Sequence, residues 1–145
     1  MSAALRPAPT PAAVLALAGA AILASAALHG AVNVPHLVGD LAELGVRRTV
    51  LAPVTLVLAF SVVAMAAFGA LVLHGAAAAL RGAPARSPAL WVVAASYIAF
   101  GVGAYLLVAR SPHFLGYAGM GLLVAAGAAA SPRPARGPAR GLTAP

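Results

Sequence analysis

Residues 50–74, VLAPVTLVLAFSVVAMAAFGALVLH, decide the fold, because none of these consecutive positions carries Asp, Glu, Lys or Arg. A helix needs about 20 mainly apolar residues to cross the hydrocarbon of a bilayer. In lipid the backbone must satisfy its own hydrogen bonds, which a helix does within one segment. Working outward from this stretch, three more runs meet the same criterion, at 11–30, 88–109 and 112–130. The chain therefore reads as all-α: an integral membrane bundle of four transmembrane helices over residues 1–130, followed by a tail at 131–145. Composition agrees. Of 145 residues, 63% are hydrophobic and 8% charged, against about 25% charged in soluble domains. The bilayer is the expected solvent and the cell membrane the expected location.

The spans are punctuated. Thr10-Pro11, Ser87-Pro88 and Ser111-Pro112 each place a hydroxyl residue before a proline. A Ser or Thr oxygen accepts an orphan amide at the helix start, and proline tolerates the next position because its missing N–H had no partner there. The second span starts near Thr49, with Pro53 in its first turn. Ser131-Pro132 ends the fourth.

Charge gives the orientation. Arg6, Arg81, Arg86, Arg133, Arg136 and Arg140 fall on one side of a four-span chain; Arg47, Arg48 and Arg110 fall on the other, offset by Asp40 and Glu43. The positive-inside rule puts the first group, and with it both termini, in the cytoplasm. The first span also resembles a secretory signal, with Arg6, an apolar run at 12–23 and the small triplet Ala24-Ser25-Ala26. Such triplets arise by chance in Ala-rich helices, and the segment is expected to be retained. There is no Cys, which leaves no thiolate nucleophile and no Cys-ligated metal site.

One polar constellation stands out. His29, Asn33, His36, Asp40 and Glu43 follow one another at spacings of three and four, which on a continuous helix share a face. Pro35 argues for a break, since proline clashes with the carbonyl four residues back. The expectation is a chain break after Gly30 and then a short amphipathic helix lying in the outer interface, closed by Gly45. Leu37, Val38, Leu41 and Leu44 form its apolar face and His36, Asp40 and Glu43 its polar one. The competing reading is a site: His29, His36, Asp40 and His113, all on the outer side, as metal ligands. Asp40 would orient His36, and this donor set suits a transition metal such as zinc, copper or iron. His74 lies at the opposite end and reads as an interfacial histidine.

The remaining polar groups need no function. Thr55, Ser61 and Ser96 can bond back to their own helices, and Trp91 suits an interfacial belt. Ala95, Ala99 and Gly103 on the third span, and Gly121, Ala125 and Ala129 on the fourth, read as ordinary small-residue packing faces. Gly116, Gly119, Gly121 and Gly127 favour close contact there. The tail repeats Pro-Ala-Arg-Gly at 134–137 and 138–141, a composition expected to be disordered. No aromatic residue is interleaved for base stacking, so nucleic acid is not an expected partner. The expected partners are the bilayer, other membrane proteins or further copies of the chain.

The segments LHGAVNVPHLVGDL, FGALVLHG, YIAFGVGAYLL and PHFLGYAGMGLLV look like those of small bacterial four-helix membrane proteins, loosely DoxX-like. The resemblance rests on size and helix number and transfers no residue role. Three functional readings follow. The leading one is a non-enzymatic accessory or interaction protein. The alternatives are a metal- or redox-cofactor protein using the outer histidines, and an oligomeric small-solute transporter. No acid lies within a span, which weakens the transporter reading. The outer side offers a His36–Asp40 pair but no evident nucleophile, which weakens catalysis.

Overall fold

The computed structural model describes residues 10–131. Helix α1 covers Pro11–Leu28, a π-helical segment covers His29–Asn33, and α2 covers Val34–Glu43. Helix α3 covers Arg48–Leu80, α4 Pro88–Leu107 and α5 Pro112–Ala130. Helix α1, the π segment and α2 run on as one 33-residue helix, so four helices are long and apolar enough to cross a membrane. The tail at 131–145 lies outside the described residues beyond Ser131.

The interfacial segment is the main correction. The helix does not break after Gly30, and no separate interfacial helix forms. Instead, the turn before Pro35 widens: the Val34 amide donates to the His29 carbonyl, five residues back. A π-bulge is one of the few ways a helix absorbs a proline, because the wider turn relieves the clash with the preceding carbonyl. Beyond it, α2 sets the half-buried Val34, Val38 and Leu41 towards α3 and leaves His36, Asp40 and Glu43 exposed. Gly45 does close this helix as expected. With φ +76°, it lets the Gly45 and Val46 amides donate to the Ala42 and Leu41 carbonyls, which is the Schellman arrangement.

Helix α3 is longer than the 50–74 run. It begins at Arg48, so Pro53 lies inside the helix rather than in its first turn. It continues through the Ala-rich stretch after His74, where intrinsic helix propensity is highest. Gly82, φ +74°, then closes it in the same way as Gly45. At its other boundary, α4 stops at Leu107. Thr10 caps α1 by accepting from the Ala13 amide at 3.2 Å, and Ser87 caps α4 through the Leu90 amide at 3.4 Å. Ser111 makes no such bond.

Helices α1 and α3 pair along their length, as do α4 and α5, and α1 joins the two pairs by packing on α5. Helices α3 and α4 touch far less. The core confirms this asymmetry. Leu15, Ile22, Val72, Leu90, Val93 and Val124 are its largest buried apolar side chains, and they lie towards the end that carries the 81–87 turn. Arg86 fastens that end by donating from Nε to the Ser131 carbonyl at 2.8 Å and from its terminal nitrogen to the Ala129 carbonyl. Such a cation satisfies carbonyls that a helix C-terminus leaves without donors. Towards the opposite end the bundle loosens: the first buried residue of α3 is Gly69.

The lengths do not match there. Phe68 and Tyr97 lie level, their rings in edge-on contact. Twenty residues of α3 run from Phe68 to Arg48, but ten of α4 run from Tyr97 to Leu107. At the helical rise, α3 and its α2 partner overshoot α4 and α5 by about 15 Å. Helix α4, with 20 residues, is about as long as the hydrocarbon is thick.

The small-residue faces also differ from expectation. Ala95 and Ala99 are exposed, while α4 packs through Val93, Ala94, Tyr97, Gly101 and Ala104. On α5, Gly121 and Gly127 make close contacts but Gly116 and Gly119 have open space beside them. A Cβ on Gly121 would lie 2.7 Å from the Ala94 carbonyl oxygen, so α5 rests on the α4 backbone here. Gly121→Ala should lower stability in detergent by about 1–3 kcal/mol, because backbone cannot yield as a side chain can. Gly116→Ala and Gly119→Ala should leave it unchanged or raise it by up to about 1 kcal/mol through better helix propensity. Thermal unfolding of the three variants checks this; an equal loss in all three would contradict the packing.

Candidate functional site

The open seam between α3 and α4 forms a cavity of about 510 Å³. Its walls come from α3 (Val57, Phe60, Ala64, Phe68) and from Phe100 and Tyr117 across the gap. His29, Leu58, Ser61, Met65, Ser96 and Tyr97 complete it. Phe60 is 71% exposed and Phe100 55%, so the cavity opens sideways, between two helices, onto the face where lipid chains would lie. Along α3 the lining extends from Val57 to Phe68, roughly 16 Å of helical rise. The volume is in the range of pockets that take small organic ligands, about 300–1,000 Å³. Among the described residues, no Asp, Glu, Lys or Arg lines it.

The polar groups of this cavity are few and placed at its ends. At the end nearer the 44–47 turn, His29 Nε2 lies 3.3 Å from Ser61 Oγ. Ser61 Oγ also lies 2.6 Å from the Leu58 carbonyl, which has no proton to give. The hydroxyl therefore donates to Leu58, and Ser61 accepts from Nε2–H of His29. This bond fixes the imidazole tautomer and leaves Nδ1 as a lone-pair acceptor. It also removes Ser61 as a ready nucleophile, since the serine proton is committed away from His29. Deeper in, Tyr97 is 5% exposed and its hydroxyl has no hydrogen-bond partner among the described residues. An unsatisfied buried hydroxyl costs about 1–3 kcal/mol. Its ring is held by Phe68 and Tyr117, with centroids 6.2 Å away in both cases.

The four residues singled out as candidate ligands stand in three places. His29 is on the cavity wall. His36 and Asp40 line a separate groove on the exposed side of α2, together with Pro35, Gly39 and Glu43. His113, exposed at the start of α5, rests edge-on against Phe114 and Tyr117, with centroids at 5.8 and 5.5 Å. The continuous helix keeps His29 and His36 two turns apart, about 10 Å along the axis. Among the described residues, no three His, Asp or Glu side chains gather into a group able to hold a metal ion. His74 is exposed on α3.

Ser61 is the residue that sequence reasoning passed over. It does bond back to its own helix, as expected, but it also reaches His29. A signal was present. His29 and Ser61 each lie sixteen residues from Gly45, and an antiparallel helix hairpin turning at Gly45 brings equidistant residues to the same depth. Thr55 needs no such partner: its hydroxyl donates to the Leu51 carbonyl at 2.9 Å.

No protein family, no characterised protein and no solved structure matches this chain, so the likeness to DoxX-like proteins stays one of size and helix number, and every functional argument rests on the chain's own geometry.

Proposed function

We propose that this chain is a small, non-enzymatic protein of the cell membrane that works by holding a lipophilic guest in the cleft between α3 and α4. The observation that carries this reading is the lateral opening. Bundles of this size normally bury the facing sides of adjacent helices; here α3 and α4 part over about half their shared length and leave an apolar cavity rimmed by exposed Phe60 and Phe100. A void of that size lined by apolar groups forgoes the dispersion contacts that hold membrane helices together. A guest that enters from the bilayer restores them without an aqueous step.

Both termini are cytoplasmic in this reading. Arg81 and Arg86 lie at the tightly packed end, and the sequence assigns Arg6, Arg133, Arg136 and Arg140 to the same side of four spans, whereas the opposite end holds Arg47, Arg48 and Arg110 with both acids of the chain. The cavity's His29 end then faces the outer leaflet.

The cleft is tested by filling it. A solvatochromic apolar dye should bind the purified protein in nanodiscs, and Ala64→Trp should weaken that binding by at least about tenfold by occupying the cavity. Unaltered dye binding in Ala64→Trp would remove the cleft as the site. For topology, single cysteines at Ser2, Thr49 and Thr143 report on a chain with none of its own. An impermeant maleimide applied to intact cells should label position 49 alone; labelling at 143 would reverse the orientation.

A further inference from the structure

Building on the proposed lipophile cleft, we infer that its ligand is a neutral lipid alcohol, with its hydroxyl at His29 and its apolar body running along α3 towards Phe68. Four observations converge. First, among the described residues no ionised side chain of Asp, Glu, Lys or Arg lines the cavity. A carboxylate, phosphate or ammonium head drawn into it would lose its hydration with no counter-charge, a cost that excludes charged heads.

Second, the imidazole is set as an acceptor. Ser61 gives its proton to the Leu58 carbonyl at 2.6 Å and takes the Nε2 proton of His29 at 3.3 Å. The remaining ring nitrogen, Nδ1, makes no hydrogen bond among the described residues. A head that fits must therefore donate. A hydroxyl donates without charge; an ether, ester or ketone does not.

Third, the polar pair sits at one end. His29 and Ser61 lie by the wider, looser end of the bundle, and from there to Phe68 the α3 wall is apolar, through Ala64, Met65 and Phe68 with Phe100 facing them; Ser96, Tyr97 and Tyr117 stand at the far end, where the tail would stop. That asymmetry matches a molecule with one polar head and a long tail, lying parallel to the helices as a lipid does. Fourth, the π-bulge places the head group's partner. His29 opens the π segment, so its side chain is aimed by the same widened turn that accommodates Pro35. Its neighbour Gly30 keeps that turn close to Val62, to which a Cβ would approach within 3.0 Å.

Displacement of the bound dye in nanodiscs tests this with four ligands built on a twelve-carbon chain: dodecan-1-ol, dodecyl methyl ether, dodecane and dodecanoate. The alcohol should displace at roughly three- to tenfold lower concentration than the ether, the range one neutral hydrogen bond gives. The ether should match the alkane, and the carboxylate should be weakest. In His29→Leu the alcohol should fall back to the ether while dye and alkane still bind, which also shows that the variant is folded. Equal displacement by alcohol and ether in the unaltered protein overturns the inference, whatever the variant does, and leaves the cleft as a general acyl-chain site. Stronger displacement by dodecanoate overturns it too. Failure of dye and all four ligands to bind removes the cleft reading itself.

Discussion

Leu15 of α1 packs directly over Gly127 of α5, where a Cβ would come within 2.7 Å of the leucine side chain. That contact joins the two halves of the molecule. Helices α1 and α3 form one hairpin and α4 and α5 the other, and the α1–α5 seam is the larger of the contacts between them. Because the hairpins are joined along α1 and α5, their remaining helices, α3 and α4, are free to diverge away from the joint. The core around Val72, Leu90 and Val93 holds them together near the 81–87 turn, and Arg86 ties that turn to the end of α5. Nothing comparable holds them at the other end, and the cavity is the result.

The same divergence explains why polar groups are tolerated where they are. In a tightly packed membrane core, an imidazole and a tyrosine hydroxyl would need partners from neighbouring helices. Here His29 finds Ser61 across the α1–α3 hairpin, because that pair stays in contact. Tyr97 sits on α4 at the level where the two helices begin to part; its ring still packs on Phe68, but its hydroxyl has no partner among the described residues. The hairpin's overshoot has a related cause. Asp40 and Glu43, the only acids in the chain, lie on the part of α2 that extends past the α4–α5 pair. Both are exposed there, where an ionised carboxylate can keep its hydration.

Much of this architecture was legible in the sequence, for local reasons. Four apolar runs, the Thr10 and Ser87 caps and the left-handed closure at Gly45 each depend on a few neighbouring residues. Pro35 shows the limit. Proline in a helix signals trouble, but a break and a π-bulge are both local solutions. The choice was made by tertiary contact: Gly30 lies on Val62, and α2 continues to pack Val38 and Leu41 towards α3. Residue spacing gave the polar stretch a common face but not a common destination; His36 and Asp40 look outward, while His29 looks into the bundle. In an Ala-rich chain, small-xxx-small patterns do not choose a face, and Ala95 and Ala99 proved to be on the exposed one. The cavity was not legible at all, since it depends on where two helices fail to meet.

Since the account turns on α3 and α4 meeting at one end and parting at the other, cross-linking in native membranes tests it most directly. A chain without cysteine allows pairs to be placed one at a time. Gly75→Cys with Leu90→Cys, at a point where a Cβ on Gly75 would lie 2.9 Å from the leucine side chain, should form a disulfide under mild oxidation. Met65→Cys with Phe100→Cys, at the same level on opposite walls of the cavity, should resist direct oxidation and join through a long bismaleimide. Disulfide formation at 65–100 as fast and complete as at 75–90 would show a closed seam, and would contradict both the cavity and the function built on it.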